Sequence, residues 1–198
     1  MLESFQYPVP GSPYLLIFSM NQTLFTYIHQ FAGRNPIFDG IGIFLADYLV
    51  YFLVLGFLFA VIAEDGMRKK WYRIAEGALA VLLSRGIITE IVRFFYHHPR
   101  PFDFYGFTPL ISESGNSFPS GHMTFLFALG MVVWYANRKW GIGYFILSLI
   151  VGVARIYVGV HWPYDIAGGI LIGMVSGIIV HLLLTPTWKA LYGAASES

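Results

Sequence analysis

The chain has 198 residues, 57% of them hydrophobic and 12% charged, with a net charge of +1 and a mean hydropathy of +0.63. Soluble domains carry about 25% charged residues, so this composition excludes an ordinary soluble domain and places the chain in a membrane, and the scattered basic residues exclude a nucleic-acid partner. With no cysteine, disulfides and thiolate metal sites are excluded as well.

Residues 1–13 hold three prolines and lack both a basic start and a small-residue cleavage site, so they read as an irregular lead-in rather than a signal peptide. A single membrane domain is expected over 14–188, followed by a flexible tail over 189–198. A membrane-crossing helix needs about 20 apolar residues, which predicts spans at 40–63, 71–95, 119–136, 141–158 and 163–184. Residues 14–32 are apolar but carry Asn21, Gln22, Thr23, His29 and Gln30. That stretch fits either a helix lying in the interface or a short sixth helix against the bundle, and six is the preferred count. The expected fold is therefore an all-α integral membrane bundle of about six transmembrane helices.

The connections sort by charge. Arg68, Lys69, Lys70 and Arg73 fall between the predicted second and third helices, Arg138 and Lys139 in a later connection, and Lys189 after the last. The positive-inside rule assigns these to the cytoplasm and turns the loops at 96–118 and 157–162 outward. Gly169, Gly173 and Gly177 repeat every four residues and predict a close helix–helix contact. Asp47 and Arg85 come out at similar depth when about 1.5 Å is counted per residue, and an unpaired charge there is costly. An Asp47–Arg85 pair is expected, with Glu90 as the competitor; Glu90 also lies three residues before Arg93, where it can orient that arginine.

Three stretches at the outward ends carry chemistry. Pro119 is placed in a first helical turn, so the free amides of Ser120, Gly121 and His122 point at an anion site. The Ser120 hydroxyl adds a donor there, and Gly121 admits close approach. Arg93 and Arg100 bracket the end of the preceding helix, and a guanidinium grips two phosphate oxygens at once. Arg155 closes an apolar helix, where an ionisable residue is a functional candidate by default. His161 falls just before the last helix and Asp165 in its first turn. A carboxylate there can accept from one imidazole nitrogen, leaving a lone pair on the other for nucleophilic attack.

Arg93 with Arg100-Pro101, then Pro119-Ser120-Gly121-His122, then Arg155, His161 and Asp165 resemble, in order and spacing, the three signature motifs of the type 2 phosphatidic acid phosphatase superfamily. The likeness covers roughly 93–165 directly. Two departures stand out: Arg93 takes the place of the usual first lysine, and Ala154 takes the place of the usual serine before Arg155. The resemblance implies a phosphohistidine mechanism without metal or other cofactor. His161 would attack phosphorus, Asp165 would orient it, and His122 would protonate the leaving oxygen and then activate water. Arg93, Arg100, Arg155, Ser120 and Gly121 would hold the phosphate. The small size and the run from Tyr96 to Phe102 are most similar to the bacterial undecaprenyl-diphosphate phosphatases. These imply a lipid substrate of cell-wall synthesis at the outer face of the plasma or inner membrane. A phosphatidylglycerophosphate or phosphatidate phosphatase is the alternative within the class, and a non-catalytic lipid-binding or transport protein the alternative outside it. His97 and His98 stand outside the pattern and read as loop histidines near the headgroups, with binding a second phosphate or tuning the site's pH response as the other roles.

Overall fold

Helices begin where the sequence supplies a cap. Asn35 accepts from the amides of Ile37 and Phe38, and Pro36 takes the first helical position, where its missing N–H costs nothing. Asn137 accepts from Lys139 and Trp140 while its own amide closes the preceding helix, so a single residue joins two helices. A computed structural model describes residues 13–192, and all regular structure among them is helical. The helices are α1 (Pro13–His29), α2 (Pro36–Ile62), α3 (67–95), α4 (Pro101–Tyr105), α5 (Gly121–Ala136), α6 (Arg138–Tyr157) and α7 (Pro163–Tyr192). Pro119 lies before the Ser120 cap of α5, one step outside the helical turn expected for it. Helix α7 runs through Pro186 to Tyr192, past the expected end at 184 and into the expected tail; residues 1–12 and 193–198 lie outside the described set.

Among the described residues, three segments are long and apolar enough to cross a membrane: Pro36–Ile62, Arg138–Tyr157 and Pro163–Pro186. Their outward faces expose large apolar side chains such as Phe52, Leu55, Leu147 and Leu182, which in water would form an untenable patch and in lipid match their surroundings. The chain is an all-α membrane bundle. At its centre stands α5, apolar all round and buried almost without interruption from Met123 to Val133, the pattern of a helix packed on every side.

The glycine row of α7 meets α5 directly. A Cβ at Gly169 would lie 2.7 Å from Ser120 O, one at Gly173 2.7 Å from Thr124 O, and one at Gly177 2.5 Å from Met131 Cβ. The two backbones thus touch along the row, and this contact sets where both helix ends fall at the site. At the opposite end of the bundle the buried Glu76 accepts from Arg73 Nη1 at 2.8 Å and lies 2.6 Å from His181 Nδ1. Arg73 also reaches Glu64 and the carbonyl of Tyr135, and the Tyr135 ring stacks on His181. That network ties α3, α5 and α7 together.

Two of the polar residues of α1, Asn21 and His29, are its docking groups, whereas Thr23 is exposed and bonds back to Ser19 within the helix. Asn21 is buried and accepts from the Tyr164 amide at 3.1 Å, and His29 Nδ1 lies 2.8 Å from the Tyr157 carbonyl. Phe25 fills the space between, 5.1 Å from the Trp162 ring. Helix α1 therefore packs on the bundle through α6 and α7.

Helices α2 and α3 each contain one widened, π-helical stretch, Phe44–Tyr48 and Leu82–Ile88. In the second, the Thr89 amide bonds back to Ser84 O, five residues earlier. Such a turn takes one extra residue and shifts everything after it by about 100° around the axis. Asp47 and Arg85 lie inside these two stretches, and here the expected Asp47–Arg85 pair fails. Asp47 pairs with Arg155 at 3.0 Å, and Arg85 pairs with Glu90. Depth counted at a uniform rise gives the level of a side chain in the bundle; its direction depends on the turns between.

Candidate active site

The C-terminal ends of α3 and α6 and the N-terminal ends of α5 and α7 meet at one end of the bundle, and the motif residues sit on them or, for Arg100 and His161, in the connections beside them. A cavity of about 350 Å³ opens there, lined by Arg85, Arg93, Arg100, Arg155, Glu113, Gly121, His122 and His161 among others. Six of the eight candidate residues from sequence line it. Asp165 stands behind His161, and Ser120 is fully buried with a hydroxyl that has no hydrogen-bond partner among the described residues. A larger groove of about 680 Å³ between α1, α2 and α6 is walled by apolar side chains and Tyr157 and carries none of the motif residues except Ala154 beside Arg155.

Asp165 is the third residue of α7, and its Oδ2 accepts from the Trp162 amide at 2.7 Å. This is the reach-back of an N3 acid to the cap residue. The same oxygen lies 3.2 Å from His161 Nδ1 and accepts from the Ser117 hydroxyl. A carboxylate can only accept, so the imidazole proton belongs on Nδ1 and the lone pair on Nε2. Burial pushes the His161 pKa down to about 4, against the pull of Asp165 and with the help of Arg155 and Arg100. At neutral pH the ring is uncharged. His98, expected as a headgroup histidine, instead places Nδ1 3.5 Å from Asp165 Oδ1.

The arginines differ in how far they are already engaged. Arg100, 2% exposed, donates to the carbonyls of Gly115, Val160, Ser114 and Asn116. It holds the 106–120 loop against the His161 strand of chain as well as facing the cavity. Arg155, 1% exposed, donates to Asp47 and to Glu113 and leaves Nε without a hydrogen-bond partner among the described residues. Arg93 donates to the carbonyl of Pro119 at 3.0 Å, and its Nε likewise has no hydrogen-bond partner among the described residues. Trp162 Nε1 bonds the Pro99 carbonyl at 2.9 Å, joining the first motif's loop to the third.

Sequence reasoning missed Glu113 and Ser117, and it put Asp47 and Arg85 in a pair with each other rather than at the site. The Glu113 carboxylate sits between Arg155 and Arg100, 3.9 Å from Arg100 Nη2. Burial alone would raise its pKa; the two guanidiniums win and hold it below the ordinary range. It occupies the place where another anion would meet those arginines. The one available signal was an acid in a loop that must lie beside three arginines. Gly121 also has a second reason to be glycine: a Cβ there would lie 2.8 Å from Arg85 Nε.

Four arginines, two of them buried, and a neutral histidine oriented by a buried acid thus converge at one end of an apolar helical bundle. The model of the PAP2 superfamily matches residues 76–189; the chain belongs to that superfamily and is a membrane lipid phosphatase. Among curated relatives, an undecaprenyl-diphosphatase of Bacillus subtilis is 28% identical over 161 residues, 81% of this chain and 82% of its own length. A Bacillus licheniformis protein named a bacitracin transport permease is 29% identical over 163 residues, 81% of this chain and 79% of its own. Among solved structures, LpxE of Aquifex aeolicus superposes with a TM-score of 0.67 at 28% identity, covering 81% of this chain and 94% of that one.

Proposed function

We propose that the chain hydrolyses a membrane-anchored diphosphate, undecaprenyl diphosphate or a close polyprenyl analogue, to the lipid monophosphate and inorganic phosphate through a phosphohistidine. The observation that carries this is His161 Nδ1 facing Asp165 while the rest of the ring faces a cavity lined by arginines. Nε2 attacks the terminal phosphorus, a P–N bond forms, and the bond to the bridging oxygen breaks. His122 gives its proton to the departing lipid phosphate and then takes one from the water that cleaves the P–N bond. Arg93, Arg100 and Arg155 offset the charge gathering on the phosphoryl oxygens, with Ser120 and the Gly121 amide as neutral donors. Incoming phosphate takes over the contacts of Glu113 with Arg155 and Arg100.

Six helices (α1, α2, α3, α5, α6 and α7) cross the bilayer in this reading. Arg68, Lys69, Lys70, Arg73, Arg138 and Lys139 lie at the starts of α3 and α6, at the opposite ends of those helices from the site. The positive-inside rule then turns the site to the outer face of the plasma or inner membrane.

The test is phosphate release by purified protein in detergent with EDTA, comparing undecaprenyl diphosphate, phosphatidylglycerophosphate and phosphatidate. The expected result is release in EDTA that is lost in His161→Ala, with the highest kcat/KM on the diphosphate. Full activity in His161→Ala would overturn the mechanism, and a higher kcat/KM on either monophosphate would overturn the substrate.

A further inference from the structure

Arg85 belongs to none of the three motifs, yet it lines the cavity beside Arg93. It occupies the widened stretch of α3, and its guanidinium lies over Gly121: a Cβ there would sit 2.8 Å from Nε and 3.5 Å from Cζ. Nη1 is held by Glu90, and the same Glu90 oxygen lies 4.0 Å from Arg93 Nη1. One acid thus tethers two arginines side by side. Arg85 is also the outermost of the four cavity arginines, its side chain 39% exposed against 19% for Arg93, 2% for Arg100 and 1% for Arg155. Its Nε and Nη2 have no hydrogen-bond partner among the described residues.

In the reading above, the three motif arginines hold the reacting phosphoryl group. In that reading His122 protonates the departing oxygen, and the fourth guanidinium, packed against Gly121 and lining the same cavity as His122, is taken to lie on the leaving-group side. We propose that Arg85, held by Glu90, binds the second phosphate of a diphosphate lipid and sets the preference for diphosphate over monophosphate substrates. When the bridging P–O bond breaks, the electron pair stays on the lipid phosphate, and the guanidinium meets the charge that collects there. This rests on the phosphohistidine reading above, because it takes His161 and His122 as the two sides of the reacting phosphorus.

The experiment compares wild type, Arg85→Gln and Arg85→Lys as full chains in detergent. One arm takes kcat/KM on undecaprenyl diphosphate and on phosphatidate. In Arg85→Gln the ratio of the two falls by roughly 10- to 100-fold, the worth of a charge-assisted contact to one phosphate. Arg85→Lys keeps the charge without the fork, so its ratio falls by a smaller factor; it also serves as the readout if Arg85→Gln does not fold. The second arm inhibits phosphatidate hydrolysis with inorganic pyrophosphate and with phosphate. Wild type favours pyrophosphate, and the variants lose that advantage. Equal losses on both substrates, or an unchanged inhibitor ratio, overturn the role of Arg85. A wild type that ignores undecaprenyl diphosphate overturns the substrate reading instead, and the inhibitor arm then still decides the role of Arg85.

Discussion

Arg155 Nη1 lies 3.0 Å from Asp47 Oδ1, which joins a motif arginine at the end of α6 to the π-helical turn of α2. Asp47 is a positioning residue: it fixes the guanidinium whose other branch holds Glu113. Asp47→Ala is expected to lower kcat/KM about tenfold, mostly through KM, equivalent to about 1.4 kcal/mol. The stability cost should be about 1 kcal/mol, because the acid is 40% exposed and partly screened. A double-mutant cycle in thermal melts should couple Asp47 to Arg155. The cycle of Asp47 with Arg85 should be additive to within about 0.5 kcal/mol.

Glu113 competes with phosphate for Arg155 and Arg100. Removing its charge in Glu113→Gln should tighten competitive inhibition by inorganic phosphate about tenfold, since one charge-assisted contact no longer has to be broken. Inhibition constants for phosphate in the two proteins decide it. An unchanged constant would mean that phosphate binds without displacing the acid.

The attacking histidine must be unprotonated. Burial lowers the His161 pKa from the ordinary 6.5 to about 4, so the reactive form persists as pH falls through 6.5 and is lost only as pH falls through about 4. Single-turnover formation of the phosphoenzyme from pH 3.5 to 7 should place that acid limb near 4. A limb near 6.5 would show an exposed, solvated ring.

Asp165→Asn keeps the shape and removes the acceptor that holds the proton on Nδ1. The amide can present N–H to the ring and favour the other tautomer, so kcat should fall by about 10³-fold or more. Titrating phosphoenzyme with limiting substrate distinguishes this from misfolding: the full active-site count remains and only the rate drops.

Gly173 touches the α5 backbone, with 2.7 Å from an added Cβ to Thr124 O. Backbone cannot step aside as a side-chain end can, so Gly173→Val should cost about 3 kcal/mol. Melting in detergent measures it, with a change at the exposed Leu182 as the neutral control.

The bundle and the His161–Asp165 contact were legible in the sequence because both are local. Apolar runs long enough for a bilayer declare helices, and the four-residue step from His161, just before the last helix, to Asp165 in its first turn brings acid and imidazole together without help from the rest of the chain. Gly169, Gly173 and Gly177 likewise announced a close contact by their period. What the tertiary structure alone decided were partners distant along the chain. The widened turns of α2 and α3 redirect Asp47 to Arg155 and Arg85 to the cavity, and a count of residues at uniform rise carries no trace of that rotation. Asn21 and His29 looked like obstacles to a buried helix until Tyr164 and Tyr157 met them. Glu113 became part of the site only when a loop closed over two arginines. A pairing of charges depends on direction in space, which the chain acquires only when its helices pack.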